Sequence, residues 1–320
     1  MAEYMLDFER PIVELEKRLE ELKRLAKDRP DMFDSEIKLL EKNVAELKEK
    51  TFKGLSAWQK VQIARHPDRP LARDFIEMMF TGFIEVHGDR LFSDDPAVIG
   101  GPAYLKKQPV MVIGEQKGRG TKERVKCNFG MPHPEGYRKA LRLMKMAEKF
   151  SLPVISLIDT QGAYPGIGAE ERGQAWAIAE NLREMSMLKT PIICVDIGEG
   201  ASGGALAMGV GDRIYMLENA YFSVITPEGC ASILYKDPGR AEEAAESLKM
   251  TADSLLRFGI IDGIIPEPLG GAHRGDQETA DNLKKVLIKS MEELRDIEIS
   301  ELIDQRYERL RKIGVYEEGS

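Results

Sequence analysis

Twice in this chain an apolar strand runs directly into a glycine-rich turn and then a helix, and this repeated unit restricts the fold more than any other feature. The longer copy is Pro191 to Leu217, PIICVDIGEGASGGALAMGVGDRIYML. The other is LPVISLID (152–159), followed by the turn TQGAYPGIG (160–168) and a helix opening near Ala169. Gly200, Gly203 and Gly204 leave the backbone open to close approach, and the first N–H groups of a helix starting near Gly204 have no partner within it. The pattern therefore predicts an anionic ligand at a site built between two facing glycine turns.

The rest of the chain predicts an α/β fold. From Pro109 onward, strands (PVMVIGEQ, LPVISLID, PIICVDI, RIYML, YFSVIT) alternate with helices over about 134–150 and 169–188, which predicts a mostly parallel sheet with ligands at the strand C-terminal ends. Before it, Ile12, Leu15, Leu19 and Leu22, then Ile37, Leu40, Val44 and Leu47, recur at helical spacing on either side of DRPDMFDS. This predicts a helical hairpin over residues 1–52 that serves as an assembly arm. The stretch from Phe52 to Ala103 reads as irregular, and 241–320 as three or four helices around the short apolar segment IIDGIIPEPLGG.

Composition narrows the classes of function. With 320 residues and 42% apolar content the chain can bury a large core, while a formal charge of −8 argues against nucleic acid as the main partner. Cys127, Cys194 and Cys230 have no ligand-like spacing, so they read as reduced thiols without a zinc site. The N-terminus has neither the basic nor the apolar region of a secretory signal, and no run of apolar residues is long enough to span a bilayer; a cytoplasmic protein with no membrane contact is expected.

Several short motifs admit more than one reading. GEGASG (198–203) satisfies the dinucleotide pattern G-x-G-x-x-G, although the helix after it is too short for a crossover helix. GASGG (200–204) satisfies G-x-S-x-G, making Ser202 a candidate nucleophile with Asp262 and His273 in the required order. The basic loop KGRGTKERVK (117–126) holds Arg119 and Arg124 and is either solvated or anion-binding. His87, Asp94 and Asp95 are either turn formers or metal ligands. Glu170 and Glu171 suit a helix N-terminus, and Arg172 could pair with either of them or with a substrate carboxylate.

Longer strings are more specific. RHPDRP, NFGMPHPEGYRKALRLMKMAEKF, IDTQGAYPGIGAEERGQA, the segment from NLREMSMLKTPIICVDIGEGASGG to ITPEGCASIL, and IIPEPLGGAHR together resemble the alpha subunits of bacterial acetyl-coenzyme A carboxylase carboxyltransferase over nearly the whole chain. Gln161 stands where the wider family commonly has proline, in a loop that contributes mainly backbone.

The resemblance implies a crotonase-like (ClpP/crotonase) α/β fold at 53–265, with the hairpin before it and a helical extension over 266–320. It implies transfer of a carboxyl group from carboxybiotin, on a separate biotin carboxyl carrier protein, to acetyl-CoA, giving malonyl-CoA for fatty-acid synthesis. The implied partners are a zinc-ribbon-bearing beta subunit and biotin carboxylase, with an alpha-two beta-two arrangement, the active site at the alpha–beta interface, and no metal in this chain. It also implies that no side-chain base is needed, because biotin itself takes the acetyl proton. On this basis the N–H groups of Gly203 and Gly204 are expected to form an oxyanion hole. Gly162, Ala163, Tyr164 and Gly166 should line the carboxybiotin side, and Arg119 and Arg124 should meet a carboxylate or CoA phosphates.

Overall fold

The computed structural model describes residues 4–26 and 30–314. Its centre is one eight-stranded sheet: β1 (Phe80–Thr81), β2 (Val98–Leu105), β3 (Gln108–Glu115), β4 (Val154–Thr160), β5 (Ile192–Ala201), β6 (Arg213–Leu217), β7 (Tyr221–Ser223) and β8 (Gly263–Ile265). The order is β1-β2-β3-β4-β5-β6-β8, and β7 pairs with β5 off that path. β3 through β8 pair in parallel, while β1 with β2 and β2 with β3 are antiparallel. The mostly parallel sheet read from the sequence is therefore present.

β4 and β5 are buried along their whole length, which is why they read as unbroken apolar runs. Their side chains alternate between two cores. Ile155, Leu157, Ile193, Val195 and Ile197 pack with Phe75, Ile76, Leu283 and Leu287 on one face. Val154, Ile158, Ile192 and Cys194 pack with Leu143, Met144 and Met185 on the other. The helix Asp276–Arg295 thus shares a core with the sheet.

β5 changes partners partway along its length. Residues 193–196 pair with β6 and residues 199–201 with β7. On its other side Ile158 pairs with Asp196 but Thr160 pairs with Gly200, so the β4 register shifts over the same segment. Both glycine turns leave the sheet just beyond this split.

The reading of 52–103 as irregular is incorrect. Helices Ala57–Ala64 and Ala72–Met79 and strands β1 and β2 occupy it. β2 was hidden by Gly100, Gly101 and Pro102, residues that usually argue against a strand. Their presence has a local cause: the backbone at 84–86 runs against β2, with Ile84 N–H donating to Pro102 O (3.1 Å) and Val86 N–H to Gly100 O (2.8 Å). A Cβ at Gly101 would overlap Ile84 O.

The expected helix over 169–188 is also broken, into Ile167–Glu171 and Gln174–Met187, by Gly173 in the left-handed region (φ +82). Two N-terminal helices, Arg10–Ala26 and Pro30–Phe52, occupy the stretch read as a hairpin, the second beginning at Pro30, inside the segment DRPDMFDS read as the break between them. The cross-pair of Lys23 with Glu41 (2.6 Å) is exposed and contributes little, whereas that of Lys48 with Glu16 is half-buried. The three cysteines are buried and free. Among the described residues no helix is long and apolar enough to cross a membrane.

Candidate active site

Packing brings the two glycine turns into contact. Gly204 lies on the five-residue helix Ser202–Leu206 that follows β5, and Gly162 and Ala163 follow β4. A Cβ at Gly204 would lie 2.7 Å from both Ala163 N and Gly162 C, and 3.0 Å from the Tyr137 hydroxyl. Two of these are backbone atoms with little freedom to retreat, so the position requires glycine. Gly203 is half-exposed beside it, and its Cβ would make only ordinary contact with Ile178, at 3.6 Å.

The first turn is fixed from within. Thr160 Oγ1 accepts from Gly162 N–H (3.0 Å) and donates to Gly162 O (2.8 Å), holding Gly162 at φ +140. This consumes the Gly162 N–H, so Gly162 contributes shape rather than a donor. Tyr164 stacks on His133 with ring centroids 4.2 Å apart, and a Cβ at Gly166 would collide with the Tyr164 ring. Tyr164 is therefore a half-buried wall residue, and Gly166 makes room for it.

Beside the turns, at the C-terminal ends of the strands, opens a cavity of about 470 Å³ lined by Arg65, Lys117, Arg124, Asp159, Gln161 and Glu199, among others. The structure brings Arg124 to this cavity but not Arg119. The Arg119 guanidinium is paired with Asp74 (2.6 Å) on the helix Ala72–Met79. The basic loop is itself a short helix, Gly120–Lys126, with Arg119 at its N-cap. Arg172 pairs with neither Glu170 nor Glu171; its guanidinium engages Glu135 and donates to Gly168 O (2.6 Å).

The remaining short motifs acquire definite roles. Gly198 and Gly200 lie within β5 and not in a phosphate loop, against Asp159, Asp196 and Phe222. Ser202 is exposed at φ +61, a conformation reminiscent of a nucleophile elbow, but its supposed partners are elsewhere. Asp262 precedes β8, at the opposite end of the parallel strands, and is held by Arg309 (2.9 Å). His273 stacks on His66 (3.8 Å) next to Glu9. Ser202→Ala is therefore expected to leave catalytic turnover within about threefold of wild type, with no labelling of the chain by a fluorophosphonate; a 100-fold loss would restore the nucleophile reading.

Asp94 and Asp95 diverge. Asp94 meets His87 (2.9 Å) and Lys139 (2.6 Å), whereas Asp95 accepts from the N–H groups of Ala97 and His133. Among the described residues, Glu9, His66 and His273 form a ligand-type cluster. Its near-parallel rings do not converge on one point, and Glu9 is engaged by Arg274 (3.3 Å).

A buried ionic network beneath the cavity was not anticipated from the sequence. Glu199 accepts from Lys117 Nζ (2.7 Å), Arg65 Nε (2.7 Å) and the Tyr221 hydroxyl (2.5 Å). Burial alone would raise its carboxyl, yet the Lys117 and Arg65 cations outweigh that and bring it down to about 2. Glu115 and Asp196 lack such partners, and burial pushes both well above the ordinary carboxylate range. Because the folded pKa of Glu199 is depressed, its contribution to stability is present above the unfolded carboxylate value of about 4.5 and is lost as pH falls toward 2. The wild-type melting temperature should therefore drop over that window, and Glu199→Gln should flatten the drop. An identical acid limb in both proteins would contradict this.

Two strand-to-helix turns that meet backbone to backbone, at the C-terminal edge of a mostly parallel sheet, place the chain in the class of crotonase-like folds. Solved structures with this fold include a transcarboxylase 12S subunit crystallised with methylmalonyl-coenzyme A (TM-score 0.59, 18% identity, 71% of this chain and 42% of that one). Another is the geranyl-CoA carboxylase beta subunit of P. aeruginosa (TM-score 0.57, 15% identity, 77% of this chain and 46% of that one). The family profile described as acetyl co-enzyme A carboxylase carboxyltransferase-like matches residues 5–314.

Proteins named acetyl-coenzyme A carboxylase carboxyl transferase subunit alpha share 58% identity in Methylococcus capsulatus (98% of each chain). In a Bacillus cereus strain the figure is 56% (98% of this chain, 96% of that one). The chain belongs to the family of acetyl-CoA carboxylase carboxyltransferase alpha subunits.

Proposed function

We propose that this chain transfers a carboxyl group from carboxybiotin, held on a biotin carboxyl carrier protein, to acetyl-CoA, giving malonyl-CoA for fatty-acid synthesis. The observation that carries the reading is the seam at Gly204, where two backbone turns meet so closely that any side chain would collide with the facing turn. Carboxybiotin supplies the carboxyl group and, once relieved of it, the base.

What the chain contributes is electrostatic. Forming the new C–C bond requires loss of a methyl proton from the thioester, which places negative charge on the thioester oxygen; loss of the carboxyl group places charge on the ureido oxygen. The N–H groups of Gly203 and Gly204, in the first turn of their helix, are fixed donors for one of these oxygens. A preorganised donor of this kind is worth about 3 kcal/mol at the transition state. Gly162, Ala163, Tyr164 and Gly166 shape the carboxybiotin side, Arg124 offers a cation to a carboxylate or phosphate in the cavity, and Arg119 supports its loop through Asp74.

Exposed apolar residues flank the seam: Ile167, Trp176, Leu206 and Val224, the first and last more than three-quarters exposed. Apolar surface around a polar site is typical of an interface. It supports a site completed by a carboxyltransferase beta subunit in an alpha-two beta-two assembly, supplied by the carrier protein and biotin carboxylase. Three buried, unpaired cysteines accord with a cytoplasmic setting. The test is to supply a purified alpha–beta mixture with carboxylated carrier protein and acetyl-CoA. Stoichiometric malonyl-CoA is expected, and its absence from a verified complex would overturn the reading.

A further inference from the structure

The geometry points to Asp159, held by Lys117 and Glu199, as the positioning residue that sets the spacing of the two glycine turns; this inference rests on the function proposed above. Where β5 exchanges β6 for β7 and its register with β4 shifts, the backbone N–H groups of Gly198 and Glu199 fall in the shifted stretch. Carboxylates take both. Glu199 N–H donates to Asp159 Oδ1 (3.0 Å) and Gly198 N–H donates to Asp196 Oδ1 (3.0 Å).

The Asp159 bond is the one that joins the strands. Asp159 lies three residues before Gly162, and Glu199 lies three residues before Ser202. This hydrogen bond, beside the Thr160–Gly200 ladder pair, therefore ties the root of the first turn to the root of the second. Lys117 Nζ locks it, reaching Asp159 Oδ1 (2.6 Å) and Glu199 Oε1 (2.7 Å) at once.

Steric evidence agrees. A Cβ at Gly198 would fall on Asp159 Oδ1, and one at Gly130 on the Lys117 side chain, so the backbone around the pair leaves space for these two side chains. Asp159 is itself almost fully buried, and its Oδ1 is taken up by Lys117 and the Glu199 N–H. Although Asp159 also borders the cavity, its Oδ1 is committed within the protein, so it acts through the turns.

The test uses the assembled alpha–beta complex and malonyl-CoA-dependent carboxylation of biocytin, with the wild-type complex as the control for the functional reading. Asp159→Ala should lower kcat by about 100-fold, with KM moving less than about threefold, because small misplacements of a preorganised site cost rate more than binding. Asp159→Asn keeps an oxygen for both Glu199 N–H and Lys117. It should recover most of that loss and leave the shape of the pH profile unaltered.

Gly198→Ala retains the carboxylate but displaces it, so it should lose kcat as Asp159→Ala does. This variant decides the matter if Asp159→Ala does not assemble. Failure of Asp159→Asn to recover, or loss of a limb of its pH profile, would assign Asp159 a charge or proton role and overturn the positioning account. Normal turnover by assembled Gly198→Ala would overturn it as well. An inactive wild-type complex would instead count against the proposed function.

Discussion

Replacing Gly204 with valine should abolish carboxyl transfer while leaving a complex that still assembles. The added Cβ would meet Ala163 N and Gly162 C at 2.7 Å, inside normal contact distance, with the Tyr137 hydroxyl closing the third side at 3.0 Å. Overpacking of this sort costs about 1–3 kcal/mol of stability, which a domain of this size can survive. The catalytic cost is larger, because moving one turn misaligns donors whose loss is worth about 10²–10³ in kcat each. Gly204→Ala should fall between valine and wild type. Gly203→Ala, with 3.6 Å of clearance to Ile178, should be much milder. Comparing kcat across the three variants at matched assembly separates a seam requirement from a general intolerance of the helix, and equal losses at both glycines would contradict the seam.

The second large effect is on stability, far from the seam. Arg306, fully buried on the helix Ile299–Arg311, makes a bidentate pair with Asp212 (2.8 Å to each carboxylate oxygen). It also donates to the carbonyls of Met185, Leu188 and Thr190 at 2.7–3.0 Å. Those carbonyls close the helix Gln174–Met187 and lead into β5, so one guanidinium holds the C-terminal helix onto the segment that feeds the second glycine turn. Arg306→Ala would leave a buried carboxylate and carbonyls without their donor, at a cost of about 3–5 kcal/mol. That corresponds to a fall in melting temperature of about 10 °C. Asp212→Asn should cost less, because the amide keeps one acceptor for the guanidinium. A change of only a degree or two in the alanine variant would show that the C-terminal helix is not anchored this way.

The sequence disclosed the seam but not its supports. Gly162, Ala163 and Gly204 stood out because glycine turns after apolar strands are local patterns, and the packing that brings them together follows from two adjacent parallel strands. Asp159 also lies in a recognisable string, yet its work is to bond the backbone of a residue 40 positions away across a register shift. No local periodicity encodes that partner.

Arg119 was a reasonable candidate by charge alone, and only the placement of Asp74 on another helix shows it to be engaged. β2 was missed for the opposite reason. Its glycines accommodate a neighbouring backbone, a tertiary demand that reads locally as a loop. The break at Gly173 was legible in principle, since a glycine inside a helical pattern lowers its helical preference, but the charged run before it obscured the interruption.

The most direct test of the central claim, a backbone seam in this chain completed by a second chain, is malonyl-CoA-dependent carboxylation of biocytin by the purified protein alone and with a matching beta subunit. The account predicts no measurable transfer by either chain separately and robust transfer by the mixture, abolished by Gly204→Val in the assembled complex. Full activity from this chain alone, or an active complex carrying valine at position 204, would contradict it.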